Sequence, residues 1–178
     1  MKLKIITLPN ELLRQKSKPI AEIDGRIKRL IGAMTSLLRG NAGPDRTGEG
    51  LSAIQVGRPV RLFLAHLAPQ KGLKVFINPE IIRSSKKFCR EPAWLEGCLS
   101  IPNLYARIKR PEWVILKYQD ISGRWQKKRL TGFNGTVIQH EYDHLEGTLF
   151  IDHALKQKAK LYESRTTPEG KQLFETQL

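Results

Sequence analysis

The segment His140-Glu141-Tyr142-Asp143-His144 sets two imidazoles four residues apart with a carboxylate beside the first. On a helix this spacing puts both rings on one face, one turn apart, where they reach a single cation, and it projects Glu141 toward a water held there. A divalent metal lowers the pKa of such a water toward about 7, and a carboxylate accepts its proton and returns it to a leaving group. The implied chemistry is hydrolysis.

A catalytic site of this kind takes three protein ligands and keeps one position open. By position alone, Glu146, His153 and Glu163 downstream are candidates for the third, and so is Cys98 upstream, in Glu96-Gly97-Cys98-Leu99-Ser100. Gly97 allows close backbone approach and Ser100-Ile101-Pro102 favours a turn, a setting that presents a thiolate at a strand end. One thiolate with two imidazoles accommodates iron, zinc, cobalt or nickel. Cys89 has no motif around it. A further segment, GEGLSAIQ at 48–55, offers small residues that let another chain lie close, then an amide donor. It lacks the GK[ST] sequence of a phosphate loop.

These side chains need elements to position them. Phe133, Val137, His140 and His144 recur at intervals of 4, 3 and 4, so the histidines continue the inward face of a helix expected from Thr131 or Asn134 to Glu146, with Gly147 as its C-terminal cap. An amphipathic helix is expected from Asp24, with Ile27, Leu30, Ile31, Met34, Leu37 and Leu38 inward and Gly40 as its stop. Residues 41–50 read as a loop before a short apolar element at 51–56. Strand-like runs follow at 60–67, 74–78, 81–84, 113–118 and 124–131, the last two joined by a hairpin turn at Ser122-Gly123. A last helix is expected from Asp152 to Glu163, and 166–178 is expected to fray or pack loosely.

With 178 residues, 40% of them hydrophobic and 27% charged, residues 1–178 are expected to fold as a single domain, which excludes a disordered chain. Only two cysteines and no apolar run near Met1 suit a reducing cytoplasm, and no stretch approaches the roughly 20 apolar residues of a membrane span. The net charge of +14 implies work near a polyanion such as RNA. Basic residues gather at Lys86, Lys87 and Arg90, at Arg107, Lys109 and Arg110, and at Arg124, Lys127, Lys128 and Arg129. The competing classes are another metallohydrolase with the same helix, and a basic RNA-associated protein without catalysis.

Taken in order, GEGLSAIQ at 48–55, EGCLS at 96–100 and QHEYDHLEG at 139–147 resemble the three motifs of the peptide deformylases. The resemblance runs from Ile6-Thr7-Leu8-Pro9 through Phe76-Ile77-Asn78-Pro79 to the motif helix and fades after about residue 155. It implies an α+β fold, antiparallel β-sheets packed around a central metal-binding helix, with an N-terminal amphipathic helix and a C-terminal helix. It also implies removal of the formyl group from the N-terminal formyl-methionine of nascent polypeptides, with release of formate.

The resemblance carries residue roles as well. It makes Cys98, His140 and His144 the metal ligands, Fe2+ the usual metal with Zn2+, Ni2+ or Co2+ as substitutes, and Glu141 the general acid/base. Gln55 and the Leu99 N–H would stabilise the oxyanion formed when hydroxide on the metal attacks the formyl carbon. Glu49, Gly50 and Gly97 would pair with the extended substrate, and Trp94, Tyr105, Phe133, Thr136 and Val137 would receive the methionine side chain. Three positions depart from the commoner pattern: Glu49 for an aliphatic residue, Ser52 for Ala, and Ile54 for Pro or Thr. The basic surface would support transient association with the ribosome.

Overall fold

The computed structural model describes residues 2–40, 42–43, 46–68, 72–89 and 94–177. Asn41, Pro44 and Asp45 of the expected 41–50 loop, and Arg90 of the first basic cluster, lie outside the described residues.

Asp24 opens the first helix, α1 (Gly25–Gly40), because its Oδ1 accepts from the backbone N–H groups of Arg26 and Ile27, each at 2.9 Å. Leu30, Ile31, Met34 and Leu38 form the buried stripe. Next come two short strands, β1 (Ala42–Gly43) and β2 (Arg46–Thr47), paired antiparallel, then β3 (Gly50–Ser52) and a 3-10 turn at Ala53–Val56.

Strand β4 (Leu62–His66) is apolar almost throughout, and the structure shows why: both of its faces are covered. Leu62 and Leu64 join the α1 side of the core, while Phe63 and Ala65 join the cluster on the other side. β5 (Leu73–Ser84) continues through the gap expected between 74–78 and 81–84. Asn78 sits at φ 49, a conformation asparagine tolerates, and its side chain bonds both backbone groups of Ile20. The register shifts between Ile77 and Glu80 and again after Ile81, so Pro79, which has no N–H, falls in an irregularity that does not need one.

Strands β6 (Glu96–Cys98), β7 (Ile101–Ala106), β8 (Trp113–Gln119) and β9 (Trp125–Thr131) follow. The β8–β9 hairpin turns at Gly123, φ 81, with Asp120 Oδ1 accepting from the N–H groups of Ser122 and Arg124. Helix α2 (Gly132–Leu145) lays Val137, Ile138 and Leu145 against Phe63, Phe76, Val114, Leu116 and Leu130 of the sheet.

The C-terminal part differs from expectation twice. α3 (Phe150–Gln157) ends well before residue 163, because Lys158 turns left-handed (φ 52) and the Ala159 N–H bonds back to Ala154. The expected fraying of 166–178 gives way to strands as far as Thr176: β10 (Leu161–Thr167) pairs with β7, and β11 (Gly170–Thr176) folds back on β10, while Leu178 lies outside the described residues. The hydrogen bonds offered by the open edge of β7 outweigh the weak hydrophobicity of the tail.

Among the described residues the named strands pair antiparallel, in a five-stranded sheet β3-β4-β5-β8-β9 and a four-stranded sheet β11-β10-β7-β6, and an isolated bridge between Lys18 and Val60 is parallel. The α+β expectation therefore holds, with α2 between the sheets, although the C-terminal helix is followed by a hairpin. Among the described residues no helix is long and apolar enough to cross a membrane.

Gly147 closes α2 at φ 73, and a Cβ there would overlap the Arg14 carbonyl. Replacement of Gly147 by Ala is expected to lower stability by about 1–3 kcal/mol, from strain plus displacement of the Arg14 backbone. Urea unfolding of the two proteins measures this, and an unchanged midpoint would contradict it.

Candidate metal centre

His140 and His144 stand one turn apart on α2, their rings 5.0 Å apart and nearly perpendicular. Cys98 reaches them from the end of β6: its Sγ is 3.2 Å from His144 Nε2, and the ligand atoms of Cys98, His140 and His144 all lie within 4.8 Å of one another. Two imidazoles and a thiol suit a borderline or soft divalent ion, not the oxygen-preferring magnesium or calcium. Burial alone would raise the Cys98 pKa, but the His144 charge and hydrogen bonds from both histidines drive it well below the ordinary thiol value. The thiolate is the form that binds metal.

None of the other ligand candidates joins this group. Glu146 is paired with Arg61 and Lys16, His153 bonds Asp143, and Glu163 lies on β10 paired with Arg165. The alternation along β6 puts Glu96 and Cys98 on one face of the strand, and Glu96 Oε2 lies 3.2 Å from His140 Nδ1.

Glu96 is itself held by Arg110, whose Nε and Nη2 donate to its two oxygens at 2.6 and 2.8 Å, while Arg110 Nη1 donates to Asp143 at 2.8 Å. Arg110 is only 4% exposed, so it leaves the basic surface cluster in which its sequence neighbours suggest it belongs. Burial works against ionisation of Glu96, but the Arg110 charge and hydrogen bonds, with those of His140, win and lower its pKa to about 2. The Asp143 carboxylate also accepts from His153 at 2.9 Å.

Glu141 is buried on the helix beside the histidines. Ser52 Oγ lies 2.7 Å from its Oε2 and 3.0 Å from its backbone carbonyl. Burial raises the Glu141 pKa; the histidine charges and the Ser52 bond pull it down without cancelling the effect. A carboxyl raised in this way is better matched to proton exchange near neutrality. A Cβ on Gly50 would overlap this carboxylate, which gives a physical reason for glycine there.

Gln55 is oriented by its Oε1 accepting from the Ser52 N–H at 2.8 Å, which turns Nε2 toward Cys98 Sγ at 3.4 Å and Ser100 Oγ at 3.2 Å. The amide donor thus lies at the thiol edge of the site.

The centre opens into a cleft of about 330 Å³. Glu49 and Gly50 line one wall, Gly97, Cys98 and Leu99 the other, with His140, Glu141 and Gln55 between them. Trp94, 41% exposed, stands at the mouth with its ring 5.4 Å from that of Phe133, and Thr136 and Val137 continue the apolar wall. Tyr105 departs from the sequence reading: it does not line the cleft, because β7 sets its ring behind Gly97, where a Cβ would come within 2.6 Å of it. Leu95 and Glu96 line the cleft without having been assigned a role from sequence.

The polypeptide deformylase family matches residues 2–160 of this chain. The peptide deformylase of Mesorhizobium japonicum is 41% identical over 157 residues, which span 86% of this chain and 85% of that protein. That of Rhizobium meliloti is 39% identical over 170 residues, 94% of this chain and 93% of its own length. The crystal structure of peptide deformylase from Thermotoga maritima superposes with a TM-score of 0.77 at 32% identity, covering 86% of this chain and 97% of that one.

Replacing Glu96 by Gln leaves Arg110 buried with one carboxylate partner fewer and is expected to cost about 3–5 kcal/mol in denaturant unfolding. Because the folded-state pKa of about 2 lies below the ordinary 4.5, the advantage of Glu96 is full above about pH 4.5 and shrinks as the pH falls toward 2. A difference between the two proteins that stayed constant down to pH 3 would show that the ionised carboxylate is not its source.

Proposed function

The chain belongs to the polypeptide deformylase family, and on that premise we propose that it hydrolyses the formamide of N-formyl-methionyl nascent polypeptides in the cytoplasm, residues 1–178 serving as one catalytic domain. The observation that carries the reading is the convergence of Cys98, His140 and His144 beside Glu141 and Gln55 in one cleft. Cys98, His140 and His144 would hold the metal, with Fe2+ as the native ion and Zn2+, Ni2+ or Co2+ able to replace it. Bound there, the metal supplies Lewis acidity toward the formyl oxygen and the attacking water.

The chain's own groups do the remainder. Glu141 takes the proton from the water that adds to the formyl carbon and delivers it to the departing amine as the C–N bond breaks, leaving formate and a free amino terminus. The Ser52 bond holds its carboxylate in position for both transfers. The Gln55 amide and the Leu99 backbone N–H donate to the oxyanion as it forms, so their effect is greater in the transition state than in the bound substrate. β3 and β6 are end strands of their sheets and both line the cleft, which supports pairing of an extended substrate with Glu49, Gly50 and Gly97. Trp94, Phe133, Thr136 and Val137 form the apolar wall suited to a methionine side chain. The net charge of +14 supports transient association with the ribosome.

Formate release from a formyl-Met peptide, assayed anaerobically on iron-loaded protein, tests the activity; no turnover with metal bound would refute it. Glu141→Ala is expected to retain metal stoichiometry and lose about 10²–10⁴-fold in turnover. Cys98→Ser is expected to lose metal affinity with His153 and Glu163 intact, and unchanged metal content would remove Cys98 from the ligand set.

A further inference from the structure

We infer that the solvent face of the β8–β9 hairpin, with the end of β5, is a docking platform for single-stranded RNA. On β8 the alternation sends Val114 and Leu116 into the core beneath α2 and leaves Trp113, Ile115 and Lys117 on the opposite face. Register with β9 places Arg129 opposite Ile115, Lys127 opposite Lys117 and Trp125 opposite Gln119, and Arg83 of β5 lies opposite Ile115 on its other side. α1 packs over the β3–β4 part of this side of the sheet, whereas Lys117, Lys127, Arg129, Arg83 and Trp125 are exposed, Trp125 at 54%.

The cations and aromatic rings are interleaved. Lys117 Nζ stands 4.6 Å from the Trp125 ring centre, and the Arg129 and Arg83 guanidinium groups stand 4.7 and 5.9 Å from that of Trp113. Lys117 and Lys127 face each other directly across the two strands, an arrangement that is destabilising in a sheet that has no anionic partner. Among the described residues none of Arg83, Lys117, Lys127 and Arg129 has a carboxylate in ion-pair contact, although Glu80 lies opposite Lys117 in register. A ribose-phosphate chain would supply the missing charge, and bases freed from stacking would lie on the indoles, as two or three bases do on other sheet platforms. An acidic protein surface would satisfy the lysines but make no use of two tryptophans at opposite ends of a strand pair. The choice of RNA over single-stranded DNA rests on the proposed action on nascent chains, which emerge among exposed RNA.

The test uses the full chain and a labelled, unstructured oligouridylate of about ten nucleotides, with binding read by anisotropy and by tryptophan quenching. Binding is expected to weaken at least about tenfold in Lys127→Glu with Arg129→Glu and about fivefold or more in Trp125→Ala, with a shallower salt dependence in the charge-reversed protein. The control, Arg165→Glu with Lys171→Glu on the β10–β11 hairpin, changes the net charge equally and is expected to bind nearly as the parent does. The inference is overturned if the parent fails to bind, if the control loses as much as the platform variant, or if polyglutamate or a DNA oligomer of the same length binds as tightly as the RNA. Formate release from a free formyl-Met peptide is measured on the same proteins and is expected to be unaltered by the platform substitutions. Loss of that activity in the parent alone would refute the catalytic reading and leave the platform standing, and loss of RNA binding alone would do the reverse.

Discussion

The buried charge chain Glu96–Arg110–Asp143 ties β6, the segment after β7 and α2 together, and the placement of every ligand depends on it. Taking three charged groups out of water costs several kcal/mol each, and the attraction between them offsets that cost only in good geometry. The two-point contact of Arg110 with Glu96 meets this condition, and it fixes the height of β6 relative to the helix. Two residues further along the strand, on the same face, Cys98 stands against His144, and Glu96 sets the orientation of His140. A slip of one residue in β6 would turn both Glu96 and Cys98 to the opposite face, so a single buried arginine specifies the strand that supplies the thiolate.

The other side of the cleft is fixed by a mutual fit. The carboxylate of Glu141 occupies space that any side chain at position 50 would fill, and Ser52 of the same strand bonds that carboxylate. β3, a strand of three residues, therefore supports the Glu141 carboxylate while its own backbone borders the cleft. Gln55, on the turn that follows, is held through the same Ser52, this time by the backbone N–H.

Much of the site was legible because its residues are close in sequence. The interval between His140 and His144 is a property of any helix, and the apolar positions Phe133 and Val137 identify the face. Cys98 was one of four ligand candidates until the resemblance chose it, and geometry now separates it from Glu146, His153 and Glu163. What sequence hid depends on partners far along the chain. Arg110 lies beside Arg107 and Lys109 and so resembles surface, yet Glu96 and Asp143 draw it into the interior. Tyr105 sits in a strand whose register, not its composition, decides which side its ring takes. The tail has little apolar content, and its strands exist because β7 offers an edge.

The two strand edges that border the cleft, β3 and β6, are three residues long each. Short edges inside a groove are poor templates for association with other folded proteins. They offer hydrogen bonds only to a chain whose own backbone groups are still unsatisfied, and once a segment has entered a helix or sheet it has none to give. On the proposed function, the cleft and the folding of an incoming chain would therefore compete for the same donors and acceptors, which would make it a reader of conformation as well as of sequence, favouring polypeptide ends that have not yet acquired structure.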